Sequence, residues 1–438
     1  MIYRLLAGAA CAALSVISVP ALAATTPEVP AVSASNAAPD ATVAAFYAGR
    51  HNKPLWLENG SASPAVAEVM AVLQRAPLDG FASGPAYAAD AQSLIARAQA
   101  GDAAAAAQAD RVLTTAWLHY AEALERPDSG MTFESSWVRP RTHSPHDILA
   151  LAAAAPSLAD YVRKVSDVNP FYASLRDAAW QQLQATGGAP DPRVLSSLDR
   201  VRVLPAHGHY VLVDAATQTL SMIEDGHVAD TMKVIVGKPG SQTPAMASVI
   251  YYATFNPYWH VPVDLEQKLI APRVLSQGLS YLKVHHYELL TSFGDDGQPI
   301  APQDVDWKAV AAGKTSVAMR QLPGPANSMG EMKFSFANDK GIYLHDSPEK
   351  DLFDKDQRDL SNGCIRLEDA SRLGRWLLGR DPTIASDQPE QRVALPKPIP
   401  VFVTYLTAHA DGGQLTLLDD IYGRDLQPDQ TARMASLQ

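Results

Sequence analysis

The stretch "YLHDSPEKDLFDKDQRDLSNGCIRLED", residues 343–369, decides how the second half of this chain folds. It opens as a short strand that ends in His345, and 19 residues later it reaches Cys364 behind a glycine. A thiol is a poor nucleophile at neutral pH unless an imidazole or backbone amides lower its pKa. A loop of this length can return the glycine turn to the strand end. We therefore predict a Cys364/His345 pair that carries out acyl transfer.

The same motif supplies the groups that such chemistry needs around the pair. Gly363 leaves room for a reactant, and adjacent N–H groups can form an oxyanion hole for a tetrahedral intermediate. Arg366 can bind a carboxylate through its two-pronged guanidinium. A metal site is disfavoured because no second ligand has zinc-like spacing and H-E-x-x-H is absent from the sequence. We predict neither a metal nor a cofactor.

Length and composition limit the class of protein. A chain of 438 residues exceeds one ordinary core, so two or more domains are expected. Hydrophobic residues make up 47% and charged residues 19%, which is typical of a globular protein. The net charge of −11 and the absence of a long Lys/Arg run argue against a nucleic-acid partner.

The N-terminal stretch "MIYRLLAGAACAALSVISVPALAATT" has the pattern of a secretory signal peptide, residues 1–23. A basic residue precedes an apolar segment, and Ala21-Leu22-Ala23 fits cleavage after Ala23. The alternative, a membrane anchor, is disfavoured because the segment is short for a span. A lipoprotein is disfavoured by Gly8 ahead of Cys11. The exported chain would then hold one cysteine, Cys364, which cannot form an internal disulfide.

Hydrophobic periodicity divides the rest of the chain. Apolar residues at three- and four-residue spacing, such as Leu113, Trp117, Tyr120 and Leu124, predict packed helices in the first half. After Pro205 the pattern alternates, with an "EDG" turn that predicts a hairpin. A mixed stretch that includes the predicted helix "DLEQKLIAPRVL" interrupts the strands. The predicted segments are a flexible leader (24–41), a helical domain (42–200), a mainly β domain (201–410) with an insertion at about 262–325, and a C-terminal tail (411–438).

The 343–369 motif resembles the signature of the L,D-transpeptidases, whose catalytic domain is called YkuD. The similarity extends to "KVIVGKPGSQTPAMASVIYYATFNPYWHVP", "RQLPGPANSMGEMKFSFAN" and "PIPVFVTYLTA", and the helical half resembles the scaffold of the YcbB-type branch. The resemblance implies an α+β protein. A mainly helical scaffold domain would precede a mainly β, β-sandwich-like YkuD domain, and the insertion would be a lid.

Site residues follow from the resemblance position by position. Cys364 would form a thioester with the donor stem peptide, and His345 would act as general base and acid. The Asp346 carbonyl would orient the imidazole, and Gly363 with Cys364 would supply oxyanion-hole amides. The predicted substrate contacts are Arg366, Tyr343, Ser361, Asn362, Asn256, Tyr258 and Trp259.

Each substrate contact has a structural alternative. Tyr343, Tyr258 and Trp259 could be core aromatics, Ser361 could only cap the turn, and Arg366 could form a structural salt bridge. The sequence also departs from the family in two ways. Asn362 stands where many members have a second histidine. Only about twenty residues separate the scaffold from the catalytic domain, too few for the small peptidoglycan-binding module usual in the YcbB-type branch.

The resemblance implies a periplasmic L,D-transpeptidase that joins peptidoglycan stem peptides, needs no cofactor and is not inserted in the membrane after signal cleavage. Its products would be 3-3 cross-links between diaminopimelate residues or 1-3 cross-links between L-Ala and diaminopimelate. Carbapenems would acylate it. Two rivals remain: an L,D-carboxypeptidase or amidase with the same cysteine chemistry, and a non-catalytic wall-binding protein. The sequence leaves the oligomeric state open.

Overall fold

The structure, a computed structural model, describes residues 40–58, 61–294, 296–383 and 386–425. The predicted signal peptide (1–23), almost all of the predicted leader and the last 13 residues of the predicted tail lie outside the described residues. Within the described ranges, no helix combines the length and the apolar character that a membrane span requires.

The first half of the chain is helical, with two short strand pairings beside the helices. The helices are α1 (Ala41–Gly49), α2 (Pro64–Arg75), α3 (Gly84–Gln99), α4 (Ala103–Glu125), α5 (Pro145–Ala154), α6 (Leu158–Asp167), α7 (Pro170–Thr186) and α8 (Pro192–Arg202). The strands are β1 (Leu57–Glu58), β2 (Ser61–Ala62), which pairs with β1, and β3 (Thr132–Phe133).

Local sequence explains both the ends and the packing of these helices. Proline occupies the first position of α5, α7 and α8, where its missing N–H costs no hydrogen bond. Asp102 caps α4 by accepting the Ala105 N–H at 3.0 Å. The predicted stripe of α4 is buried, with Trp117 and Tyr120 fully inaccessible to solvent. The prediction that this face packs in a core is therefore confirmed.

The second half is mainly β. Its strands are β4 (His209–Asp214), β5 (Thr219–Glu224), β6 (His227–Gly237), β7 (Met246–Phe255), β8 (Trp259–His260), β9 (Tyr287–Leu290), β10 (Ala318–Gln321), β11 (Met332–Phe336), β12 (Tyr343–His345), β13 (Asp359–Ser361), β14 (Ile365–Leu367), β15 (Gln391–Thr404), β16 (Ala408–Asp411) and β17 (Gln414–Leu417). The helices of this half are α9 (Val263–Leu265), α10 (Ala271–Gln277), α11 (Ser280–Val284), α12 (Trp307–Ala311) and α13 (Ala370–Leu378).

The main sheet has the strand order β11-β12-β14-β6-β5-β4-β15-β7-β3. Strand β7 also pairs with β11, so the sheet folds back and encloses a core between its faces. The predicted hairpin is confirmed: β5 and β6 are joined by Asp225-Gly226, both with positive φ, as the right-handed twist of a two-residue hairpin favours. Helices followed by this sheet confirm the predicted α+β class.

The insertion between β7 and β11 is a small unit with its own core. Strands β8, β10 and β9 form a three-stranded sheet. The predicted helix is present as α9, a π-helix (Glu266–Ile270) and α10 in direct succession. Helices α11 and α12 and the strand β9 were not predicted. Ile270, Val274, Trp307 and Met319 are among the residues of its separate core.

The chain returns to the helical half after β15. The β16–β17 hairpin packs beside α7 and α8. Arg200 of α8 forms a buried ion pair with Asp425 at 2.7 Å and donates to the Tyr405 carbonyl at 2.8 Å. Residues 411–425, the described part of the predicted tail, therefore contact the helices. The predicted domain limits remain predictions.

Candidate active site

A cleft of about 590 Å³ separates the insertion, called the lid from here on (residues 262–325), from the ends of β12 and β14. It contains both residues of the predicted catalytic pair and most of the predicted substrate contacts. The predicted residues that line it are His345, Cys364, Arg366, Tyr343, Ser361, Asn362 and Trp259. The fold thus brings Trp259 and residues from both ends of the 343–366 stretch to one cavity.

Four predicted site residues do not line the cleft. Gly363 and Asp346 adjoin the lining residues Cys364 and His345 in sequence, and Asn256 and Tyr258 stand at the base of the lid. Asn256 has a positive φ of 47°, and its backbone bonds the chain at residues 331 and 390. Tyr258 packs beneath the Arg320 guanidinium, 4.1 Å from its ring centre. In this structure, Asn256 and Tyr258 therefore support the lid and do not contact the cleft.

Strand pairing brings the two halves of the motif together. β12 and β14 are parallel neighbours, with Leu344 opposite Ile365 and His345 opposite Arg366. The connection between them is anchored by Arg358, whose guanidinium donates to the Gln218 carbonyl at 3.1 Å and to that of Val234 at 3.2 Å. Arg358 lies within the 343–369 motif, but no pattern in the sequence indicates its anchoring role.

The turn before Cys364 is held by hydroxyl groups. Ser361 Oγ donates to the Cys364 carbonyl at 2.6 Å and accepts the Gly363 N–H at 3.1 Å. Gly363 has φ of +119°, which a residue with a Cβ rarely adopts. Thr243 Oγ1 donates to the Gly363 carbonyl at 2.8 Å. Thr243 was missed because it lies 120 residues away in sequence.

This turn bears on two of the sequence-based expectations. Ser361 caps the turn, the structural alternative considered for it, and its side chain also lines the cleft. The Gly363 N–H already donates to Ser361 Oγ, so an oxyanion role for Gly363 requires that bond to be shared or broken. That role stays a prediction.

The Cys364 thiol is half-buried at the cleft wall and protonated at rest. Sγ donates to the Gly341 carbonyl at 3.5 Å. Burial raises the pKa of Cys364, whereas the Tyr343 backbone N–H and the Arg366 charge oppose that rise. Tyr343 therefore acts on the sulfur through its main chain. Among the described residues no hydrogen bond joins Cys364 to His345, so proton transfer requires the thiol to turn from Gly341.

His345 is buried and neutral. Its Nδ1 lies 2.6 Å from the Asp346 carbonyl oxygen, which can only accept, so Nδ1 carries the proton and Nε2 is free to act as a base. Burial and, second, the Arg366 charge lower the pKa of His345 to about 4. Asp346 is itself held by Lys350 at 2.7 Å and by the Glu331 N–H at 3.0 Å.

Arg366 forms an ion pair with Glu349 at the cleft wall. Arg366 is partly buried, but Glu349 is mostly exposed, with 58% of its side chain accessible. This is the salt bridge considered as the alternative to substrate binding. Since Arg366 also lines the cleft, an incoming carboxylate would compete with Glu349 for the same guanidinium. No pattern in the sequence indicates that Glu349 is the partner of Arg366.

Comparison with known proteins identifies two family domains. Residues 208–388 match the YkuD family, the L,D-transpeptidase catalytic domain, and residues 41–178 match the Scaffold domain family. A Haemophilus influenzae protein provisionally named an L,D-transpeptidase is 25% identical over 395 residues, which is 88% of this chain and 78% of that protein.

Solved structures of L,D-transpeptidases align with part of the chain. The enzyme from Mycobacterium smegmatis is 16% identical with a TM-score of 0.22, and the alignment covers 45% of this chain and 59% of that one. A mutant of the Enterococcus faecium enzyme is also 16% identical with a TM-score of 0.22, over 46% and 52% of the two chains. The chain thus spans just over half the length of these solved chains. The two domain matches show that this chain contains an L,D-transpeptidase catalytic domain of the YkuD family after a Scaffold domain, and the Haemophilus relative is similar across both.

Proposed function

We propose that this enzyme is a periplasmic peptidoglycan L,D-transpeptidase with Cys364 as its nucleophile. The observation that carries the proposal is the position of the Cys364 thiol and the His345 imidazole on one cleft, where the paired strands β12 and β14 bring them together. The free Nε2 of His345 can accept the thiol proton. Arg366 adds a cation that favours a thiolate and can bind a substrate carboxylate.

Acylation begins when the Cys364 thiol gives its proton to His345 Nε2. The sulfur then attacks the carbonyl at the L-centre of diaminopimelate, stem position 3, and forms a C–S bond. The imidazolium returns the proton to the leaving nitrogen as the C–N bond breaks, so D-Ala departs as a neutral amine. A thioester to Cys364 remains, with neutral His345 as at the start.

Transfer to an acceptor repeats these steps in reverse. His345 Nε2 takes a proton from the amine of a second stem peptide as its nitrogen attacks the thioester carbonyl. The C–S bond breaks, and the departing sulfur regains a proton from the imidazolium. A diaminopimelate amine gives a 3-3 cross-link, and the amine of L-Ala at position 1 gives a 1-3 cross-link. The link between the two family domains, residues 179–207, is too short for the peptidoglycan-binding module usual in the YcbB-type branch. Because that module is missing, the proposal includes the 1-3 product as well as the 3-3 product.

Water as acceptor would give the rival activity, trimming of stems by an L,D-carboxypeptidase, or release of stem-linked groups by an amidase. The decisive experiment incubates the purified enzyme with tetrapeptide muropeptides, with and without free tetrapeptide stems whose L-Ala amine is available as an acceptor, and identifies dimers by tandem mass spectrometry. Fragment ions distinguish 3-3 from 1-3 bonds. Cys364→Ala must abolish dimers, and His286→Gln, a substitution outside the cleft lining, serves as the matched control. Shortened monomers without any dimer would refute transfer.

Export and inhibition belong to the same proposal. N-terminal sequencing of protein recovered from the periplasm should begin at Ala24 if the signal peptide is cleaved after Ala23. A carbapenem should add its mass to the wild-type protein and leave Cys364→Ala unmodified. The thiol opens the β-lactam ring by the same attack on a carbonyl carbon that it makes on a peptide. Loss of the enzyme should alter cell-wall organisation and cell shape where its cross-links are abundant.

A further inference from the structure

The lid places an arginine on the cleft that the sequence analysis did not identify. We propose that Arg273 of α10 binds a carboxylate of the donor stem peptide and thereby couples substrate binding to the lid. The inference rests on the proposed function, because that function supplies the anionic peptide. Arg273 lies on the wall of the cleft that the lid forms, and the catalytic motif lines the same cleft.

The position of Arg273 follows from the packing of its helix. Ala271 and Val274 of α10 are buried in the lid core, which fixes the rotation of the helix about its axis. Glu266, only 1% exposed, ties the preceding π-helix to the strand side of the lid by accepting the Val317 N–H at 2.9 Å. The exposed Arg273 side chain therefore lies on the cleft.

The charge of Arg273 is not matched within the lid. One guanidinium nitrogen donates to Tyr281 Oη at 3.1 Å, and the group lies 5.9 Å from the centre of that ring. In the part of the chain that the structure describes, no carboxylate oxygen lies within 4 Å of it. By contrast, Arg320 of the lid pairs with Glu288, and Arg366 across the cleft pairs with Glu349.

A guanidinium has five N–H donors in a planar fork, and the Tyr281 hydroxyl uses one of them. The remaining donors suit a carboxylate, which accepts two parallel hydrogen bonds. Besides the carbonyl that Cys364 attacks, a tetrapeptide stem carries three carboxylates: one on D-Glu, one at the D-centre of diaminopimelate and one on the terminal D-Ala. Arg366 must release Glu349 before it can bind one of them, whereas Arg273 has no carboxylate partner among the described residues.

Binding is measured in the full-length Cys364→Ala protein, which cannot turn the peptide over. Isothermal titration calorimetry with a free tetrapeptide stem should show that adding Arg273→Gln weakens binding about tenfold, the loss typical of one charge-assisted hydrogen-bonded contact. Arg273→Lys should retain part of the affinity. Lys308→Gln, which removes an exposed lid cation outside the cleft, should bind as the Cys364→Ala parent does.

Peptides amidated at one carboxylate at a time identify the partner. One of the amidated peptides should bind the parent about tenfold more weakly than the unmodified peptide does. The same peptide and the unmodified peptide should bind equally well to the protein in which Arg273 is replaced. Equal affinity of the parent and the Arg273→Gln protein refutes the inference, and so does a parent that fails to bind the peptide. Turnover, measured with Cys364 in place, tests the function separately. If the Arg273→Gln enzyme forms dimers as well as the wild-type enzyme does, only the inference is refuted. If the peptide binds to the parent but the wild-type enzyme forms no dimers, only the transpeptidase proposal is refuted.

Discussion

The neutrality of His345 predicts an unusual pH profile for acylation of Cys364. An exposed histidine has a pKa near 6.5, whereas burial and the Arg366 charge lower that of His345 to about 4. At pH 5 about nine in ten His345 side chains are then neutral, against about one in thirty for an exposed histidine. If His345 Nε2 accepts the thiol proton, acylation at pH 5 should keep about nine tenths of its plateau rate, against about one thirtieth for a base of pKa 6.5.

The assay follows carbapenem adduct formation on Cys364 by intact-protein mass spectrometry between pH 4 and pH 8. We expect second-order rate constants that are nearly constant from pH 7 to pH 5 and fall by half near pH 4. Arg366→Gln removes a positive charge beside the imidazole, so it should raise the pH at which the rate falls. A fall centred near pH 6.5 in the wild-type enzyme would refute the buried neutral base.

The same pKa difference also makes the fold less stable in acid. His345 is uncharged when folded, but the unfolded chain binds a proton below about pH 6.5, so stability decreases as pH falls from 6.5 to 4. The total loss is about 3 kcal/mol, since one pKa unit corresponds to about 1.4 kcal/mol. Denaturant unfolding measures how much the free energy of unfolding falls between pH 7 and pH 5. That fall should be about 2 kcal/mol smaller in His345→Gln than in the wild-type protein. An unchanged pH effect would contradict the assignment.

Three further substitutions test the turn before Cys364 and the contact between α8 and the C-terminal segment. Gly363→Ala forces a side chain into a positive φ and to within 3.3 Å of Ile342, so it should cost about 1–3 kcal/mol of stability; an unchanged melting temperature would contradict this. Ser361→Ala removes both turn hydrogen bonds and should slow acylation without moving its pH midpoint, which pH-rate measurements check. Arg200→Ala removes a buried ion pair with Asp425 and the donor to the Tyr405 carbonyl, so denaturant titration should show a loss of about 3–5 kcal/mol, while Arg193→Ala at a partly exposed pair with Asp191 should lose at most about 1 kcal/mol.

Much of the architecture was predictable because its signals are local. The three- and four-residue spacing on α4 and the alternation around Asp225-Gly226 report which face of each element is buried. The 343–369 motif places His345 at a strand end and Cys364 behind a turn, so the cleft residues could be identified together. The interior of the lid was harder, because α11, α12 and β9 are short and depend on a small separate core.

The sequence by itself determined the two-part α+β organisation, the family and the candidate nucleophile with its base, since these follow from periodicity and a continuous motif. Only the tertiary structure decided the environment of those groups. It paired Arg366 with Glu349, brought Thr243 to the Gly363 carbonyl and placed Arg273 on the cleft. The Thr243–Gly363 contact joins residues 120 positions apart, and the pKa of His345 depends on burial and on the nearby Arg366 charge. Tertiary packing sets both these contacts and the pKa of His345, and no local sequence pattern encodes it.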